Sequence, residues 1–316
     1  MTWVLGIDIG GSGSRAMLAG TDSPARLLEG ERASVATGGS RIADVAADLL
    51  RRVAHDWPAE SSQLTGIAVG ASGLATLVAD PHGAVDALAA LNPSVPLALA
   101  TDAVTTHLGA LAGSGGAVVA VGTGAIAFAT DLDEIWHRVD GWGHLLGDRG
   151  AGAWIGMEGL RTAALGHDGV DAGAAPLLAA ARRLFGEPPT WPAQFYTRQD
   201  RAGVLASFAP EVAALAADND AYAANIMHSA GEHVAHSLAA ALVPGVPPIA
   251  SAAGGVFAAG GVFVDSFRTE FTRLRPDVDL REPHGSSLDG AVSLARRLAG
   301  SHGLVTRDQH VWVSGR

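Results

Sequence analysis

The chain has 316 residues, 48 % hydrophobic and 17 % charged, which suits two ordinary domains with cores of their own and excludes a disordered polypeptide. Its net charge of −11 argues against nucleic acid or an anionic membrane as partner, and the absence of cysteine excludes disulfides, thiolate metal sites, iron–sulfur clusters and cysteine nucleophiles. All 21 basic residues are arginine, so no Walker-type lysine, kinase β3 lysine or Schiff base is available, and any bound phosphates must rely on backbone N–H groups, hydroxyls, Mg²⁺ or arginine.

In chain order, Met1-Thr2-Trp3 carries neither the basic stretch nor the apolar core of a signal peptide. The longest apolar run, Gly116 to Ala129, is broken by glycine and too short for a bilayer, so a soluble, cytoplasmic protein is expected. Val4-Leu5-Gly6-Ile7 ends in Asp8-Ile9. Gly10-Gly11-Ser12-Gly13 then leads into apolar Ala16 to Ala19, a spacing that predicts strand, tight turn, strand. Glycines in such a turn can take φ > 0 and aim N–H groups at an anion, with Ser12 adding a hydroxyl and Asp8 placed to hold a hydrated Mg²⁺. An ordinary hairpin with a glycine-rich loop is the alternative. The dinucleotide-binding spacing of glycines is absent.

Ile42 to Val53 has helical periodicity, Leu64 to Gly70 reads as a buried strand followed by a Gly/Ser turn at Ala71-Ser72-Gly73, and Leu97 to Ala100 reads as a strand ending in Thr101-Asp102. A helix follows over Ala103 to Ala112. The pattern then restarts. Ala117 to Val121 and Ala125 to Ala129 are strands flanking the turn Gly122-Thr123-Gly124, an echo of residues 4 to 19 that predicts a duplicated fold with a ligand pinched between the turns. The glycines between Gly109 and Gly116 are the expected pivot between the halves. Beyond the glycine-rich Asp140 to Gly152, a helix is expected over Ala153 to Leu165. Residues 167 to 243 read as mainly helical, with two amphipathic helices over 200 to 243. Ile249 to Gly261 reads as strand, turn and helix start around Gly254-Gly255, Leu288 to Leu298 as a helix, and Leu304 to Val313 as an edge strand.

These pieces resemble, over nearly the whole chain, the sugar-kinase, actin and heat-shock-chaperone ATPase superfamily. Its two phosphate loops match Asp8 to Ser12 and Gly122-Thr123-Gly124. Its connecting helices follow Asp102 and match Asp289-Gly290-Ala291, and its adenosine region matches Gly254-Gly255. Within it, Thr101-Asp102-Ala103 and Gly141-Trp142-Gly143-His144-Leu145-Leu146-Gly147-Asp148 resemble the N-acetylglucosamine kinases of the BadF/BadG/BcrA/BcrD-type ATPase family.

The resemblance implies an α/β chain of two ribonuclease-H-like domains, residues 1–112 and 113–316, with the active site in the cleft between them and the last helix free to pack back on the first. It implies ATP and Mg²⁺ as cofactors, an amino sugar as substrate and a homodimer. Asp102 is then the general base and also a sugar contact. Gly141, Trp142, Gly143 and Asp148 contact the sugar, while Gly10, Gly11, Ser12, Gly122, Thr123, Gly124, Gly254 and Gly255 contact ATP. N-acetylglucosamine phosphorylated at the 6-hydroxyl is the expected reaction. Glucosamine, N-acetylmuramic acid or a regulatory ATPase without kinase activity are the alternatives.

The chain departs from the family at Asp148-Arg149-Gly150-Ala151-Gly152, where the relatives read Asp-Glu-Gly-Ser-Gly. It departs again at Thr37 to Ser40, which lacks a sugar-binding Asn, and at Ala125-Ile126, which replaces polar residues. From the residues alone, Asp102 and Asp148 can each be helix caps and Trp142 can be core. His228, His233 and His236 share a helix and read as packing or surface residues rather than a metal site, and for His107 and His144 an approach to the sugar is the less favoured alternative.

Overall fold

The structure, a computed structural model, describes residues 2–10, 13–21, 23–31, 35–36, 39–74, 78, 80–198, 200–300 and 305–314. The chain forms two compact units, residues 1–115 with 282–316 and residues 116–281. The first runs β1 (Trp3–Ile9), β2 (Ser14–Gly20), β3 (Arg26–Gly30), a two-residue ladder β4 (Val35–Ala36) and β5 (Gly39–Ser40), α1 (Ile42–Asp56), α2 (Pro58–Ser61), β6 (Leu64–Ala71), α3 (Pro81–Ala89), β7 (Leu97–Thr101) and α4 (Asp102–Ala110). The second runs β8 (Gly116–Val121), β9 (Ala125–Thr130), β10 (Trp136–Asp140), α5 (Gly152–His167), α6 (Ala175–Phe185), α7 (Trp191–Tyr196), α8 (Arg201–Ala206), α9 (Ala209–Ala217), α10 (Ala221–Ala241), β11 (Ile249–Ala253), α11 (Gly261–Leu274) and β12 (Asp279–Arg281). The chain then returns to the first unit as α12 (Ser287–Ala299) and β13 (Val311–Val313).

The expected repeat is visible as topology. The first sheet has the order β13-β7-β6-β1-β2-β3, the second β10-β9-β8-β11-β12. In each, three consecutive strands form an antiparallel meander and two later strands add in parallel beside the first of them. Parallel strands need long crossovers, and helices supply them.

Strand alternation assigns the faces of the first sheet. Leu5, Ile7 and Ile9 of β1 pack with Ile67 and Val69 of β6 and with Ala46, Leu49 and Val53 of α1. On the opposite face the strands carry glycine, so a helix can lie directly on the backbone. A Cβ at Gly6 would stand 2.5 Å from the Val292 amide nitrogen, and one at Gly66 2.4 Å from the Ala295 carbonyl oxygen. This floor receives α12, which buries Leu288, Ala291, Val292 and Ala295. The C-terminal segment therefore belongs with the first unit, and the division observed at 115/116 lies just beyond the 112/113 expected. Gly109, expected as part of the pivot, sits within α4, where its Cβ would meet the Ser286 carbonyl oxygen at 1.9 Å.

Residues 201 to 241 form three helices rather than two. Pro210 opens α9, and Asn219 with φ +65° turns the chain before the Asp220 carboxylate caps α10 through the Ala223 N–H at 2.9 Å. The last strand is shorter than expected, Val311–Val313 only. Strands β3, β10 and β12 and helix α3 were not expected from the sequence.

Candidate active site

In the first unit the polar residues gather where β1, β6 and β7 end. Asp8 is in register with Arg15 on β2 and Gly70 on β6. Arg15 Nη2 contacts Asp8 Oδ2 at 2.9 Å, pairing a half-exposed arginine with a largely buried carboxylate. The turn after β1 is drawn in by a Gly10 N–H bond to the Gly13 carbonyl oxygen at 2.9 Å. Gly11 and Ser12, both expected at the phosphates, lie outside the described residues.

Asp102 opens α4 immediately after β7. The helix cap is Thr101, without a side-chain cap bond, so Asp102 is not the N-cap residue. Instead Ser72 Oγ donates to Asp102 Oδ2 at 2.7 Å. Burial pushes the Asp102 carboxyl above the ordinary carboxylate range, the Ser72 bond opposes that rise, and the negative charge of Asp8 adds to it. The sequence marked Ser72 only as part of a Gly/Ser turn; its contact with Asp102 spans 30 positions and has no local signature.

In the second unit the turn Gly122-Thr123-Gly124 is closed by a Gly122 N–H bond to the Gly124 carbonyl oxygen at 2.8 Å. The first N–H groups of α5 secure it from behind, Gly152 to the Gly122 oxygen at 2.9 Å and Ala153 to the Thr123 oxygen at 3.1 Å. Thr123 is exposed on the other side. Gly254, at φ +113°, lies against the end of β8, where a Cβ would meet the Val121 carbonyl oxygen at 2.3 Å. The structure thus brings Gly254 beside the turn at Gly122. Added Cβ atoms at Gly122 or Gly255 would meet nothing within 4 Å, so backbone is open to a ligand at both.

The segment from Asp140, the last residue of β10, to Asp148 is held by hydrogen bonds to its own carboxylates. Asp140 and Asp148 take left-handed backbones at φ +63° and +52°. The buried Asp140 carboxylate accepts from the Asp148 N–H at 2.8 Å and the Arg149 N–H at 3.0 Å, clasping the loop's two ends. Asp148 Oδ1 accepts from the Gly143 N–H at 3.1 Å. The Asp148 carboxyl is pushed up by burial first and by the Asp140 charge second. Its helix-cap alternative fails, because the cap of α5 is Ala151 with no side-chain bond. Asp148 also abuts the turn, since a Cβ at Gly124 would stand 2.6 Å from Asp148 Oδ2.

Trp142 is 67 % exposed and so is not core. The Arg138 guanidinium sits 4.8 Å from its ring centroid, a cation–π contact. Gly141 and Gly143 flank it at φ +73° and +82°. The side chain of Arg149 is exposed. His144 lies close enough to Asp148 for its charge to be felt there, whereas His107 is fully buried on α4. On α10, His228 pairs with Glu232, His236 with Glu270 and His233 with the Trp154 ring. Among the described residues no cluster of three or more His, Asp or Glu is poised to hold a metal ion. No described helix is long and apolar enough to cross a membrane.

The chain matches the BadF/BadG/BcrA/BcrD ATPase family over residues 5–292. It is 27 % identical over 176 residues to the N-acetylmuramic acid/N-acetylglucosamine kinase of Clostridium acetobutylicum, covering 53 % of this chain and about half, 55 %, of that relative. A solved structure from Chromobacterium violaceum, described as a candidate N-acetylglucosamine kinase, superposes with a TM-score of 0.73 at 27 % identity, over 93 % of this chain and 99 % of the other. The fold extends to a ROK family glucokinase from Streptomyces griseus, with a TM-score of 0.60 at 15 % identity over 93 % of this chain and 99 % of that one.

Proposed function

The chain belongs to the BadF/BadG/BcrA/BcrD ATPase family, and on that premise we propose that it is an ATP-dependent amino-sugar kinase acting on the 6-hydroxyl of N-acetylglucosamine. The names of the Clostridium and Chromobacterium relatives support the substrate class. The observation that carries the reading is Asp102, a carboxylate at the end of a central strand, bound by Ser72 and pushed up by burial. A carboxylate whose pKa is raised takes a hydroxyl proton more readily than an ordinary one.

In the proposed reaction the sugar O6 forms a bond to the γ-phosphorus as the bond from that phosphorus to the bridging oxygen breaks. The hydroxyl proton goes to Asp102, and ADP leaves. Gly10, Gly11, Ser12, Gly122, Thr123 and Gly124 hold the phosphates, and Gly254 and Gly255 lie toward the adenosine. The open backbone at Gly122 and Gly255 fits that role. Mg²⁺ suits hard oxygen donors. Asp8 qualifies: Arg15 engages its Oδ2, and its second oxygen can accept from a metal-bound water. When bound, the ion neutralises phosphate oxygens. Gly141, Trp142, Gly143 and Asp148 bind the sugar, the indole offering an apolar face and Asp148 two acceptor oxygens.

Arg149 favours N-acetylmuramic acid as a second substrate, because its exposed guanidinium can pair with the lactyl carboxylate. The test is ADP release on glucose, glucosamine, N-acetylglucosamine and N-acetylmuramic acid. We expect the highest kcat/KM for N-acetylglucosamine. A tenfold preference for glucosamine, about 1.4 kcal/mol, overturns the substrate assignment. ADP release that no sugar stimulates overturns the kinase.

A further inference from the structure

Resting on the reading of Asp102 as the base, we propose that Ser72 is a positioning residue that holds Asp102 Oδ2 and so sets the orientation of the carboxylate toward the sugar hydroxyl. The Ser72 hydroxyl donates to Oδ2 at 2.7 Å, the short distance of a charge-assisted bond. Ser72 is itself fixed. Its backbone N–H donates to the Ile9 carbonyl oxygen at 3.0 Å, and the next residue, Gly73, turns the chain away at φ +72°. A hydroxyl held by the end of β1 thus sets the rotation of a carboxylate held by the end of β7. Backbone N–H groups at Ala103 and Asp102 add to the hold on that carboxylate.

The bond also bears on the protonation of Asp102. It favours the carboxylate against burial, which favours the acid. Few other charges reach the group. Asp8 on β1 opposes the carboxylate and is itself paired with Arg15 on β2. On α12, which packs against α4, Asp289 is engaged by Ser286 and Arg297 donates to the Gly113 carbonyl oxygen. The segments of β6 and β7 carry no titratable residue, and on α4 itself His107 is buried among the helix's packing residues.

The experiment measures kcat and KM for N-acetylglucosamine from pH 5 to 9 in the full chain and in Ser72→Ala, Ser72→Thr and Asp102→Asn, each first shown to melt like the parent. Ser72→Ala is expected to lower kcat about tenfold at neutral pH with sugar KM within about twofold, and to move the acidic limb of kcat/KM up by about one pH unit. Ser72→Thr, which keeps the hydroxyl, retains the parent limb. An unmoved limb in Ser72→Ala, or the same displaced limb in Ser72→Thr, overturns the proposal. If Asp102→Asn is inactive while Ser72→Ala behaves as the parent, only the role of Ser72 falls. If Asp102→Asn turns over normally, the base assignment falls and takes this inference with it.

Discussion

Gly124 is the position where the second glycine turn and the Asp140–Asp148 loop meet, and a single methyl group there separates their roles. In Gly124→Ala the added Cβ would lie 2.6 Å from Asp148 Oδ2 and 3.2 Å from its Cγ, inside contact distance for both. Nothing in the turn backbone is that close, so the carboxylate has to move. It has little freedom to do so, because Oδ1 holds the Gly143 N–H at 3.1 Å and the Asp148 backbone is already left-handed. Swinging away breaks that charge-assisted bond, a loss of about 1.5–3 kcal/mol. If the sugar reads Asp148, the same loss appears as an increase of about 10- to 150-fold in sugar KM, or an equal drop in kcat/KM. ATP KM is expected to change far less, since the turn's own closing bond and its two bonds from α5 are untouched. The assay is coupled ADP release with sugar varied at saturating ATP and then the reverse, alongside a thermal melt. A variant with raised ATP KM and unchanged sugar KM refutes the reasoning and makes Gly124 a phosphate contact alone.

Asp102→Asn is expected to lower kcat by at least about 100-fold with little change in sugar affinity, read by the same assay. Because the Asp102 carboxyl is raised and the base works ionised, kcat/KM of the parent is expected to fall as pH drops through a limb lying above the ordinary carboxylate range. A limb at or below that range contradicts the assignment. Gly290→Ala on α12 would place a Cβ 1.7 Å from the Thr105 carbonyl oxygen and 2.7 Å from the Gly109 amide nitrogen. Both are backbone, so α4 and α12 must part, at about 1–3 kcal/mol, and a melting temperature within a degree of the parent contradicts that contact.

The strand–turn–strand pairs were legible because their signal is local: alternation, then glycine, then alternation. The pairing of strands far apart in the chain was not. Strand β3 reads Arg26-Leu27-Leu28-Glu29-Gly30 and has one partly buried leucine and one exposed, so its pattern carries no clear face. Strand β12 has three residues, too few for any period. Helix α3 carries a local signal in Asp80-Pro81, with Asp80 capping through the Gly83 N–H at 2.9 Å. At the site, Asp102 and Asp148 stood out by residue type and neighbours. Their partners Ser72 and Asp140 did not, since a hydroxyl or carboxylate that serves another side chain is specified by tertiary contact rather than by spacing.

On the proposed reading, the repeat lets one topology carry two chemistries. Strands β1, β6 and β7 of the first sheet correspond by order and direction to β8, β11 and β12 of the second. In the first, those strand ends present side chains: Asp8 one pair before the end of β1, Ser72 after β6, Asp102 after β7. In the second, the position matching Asp8 is Ala120, and the end of β11 leads to Gly254. There the ends of β8 and β11 present bare backbone, and the carboxylates come from the end of β10 and the loop after it instead. Backbone N–H groups neither titrate nor swing, which suits binding of a polyanion whose charge stays constant. Proton transfer needs a group whose protonation state changes, and on the proposed reading the partly buried carboxylate of Asp102 is that group. The division predicts opposite sensitivities. Substitutions at the strand ends of the first unit should alter pH profiles, while those at the glycines of the second should alter affinities at every pH.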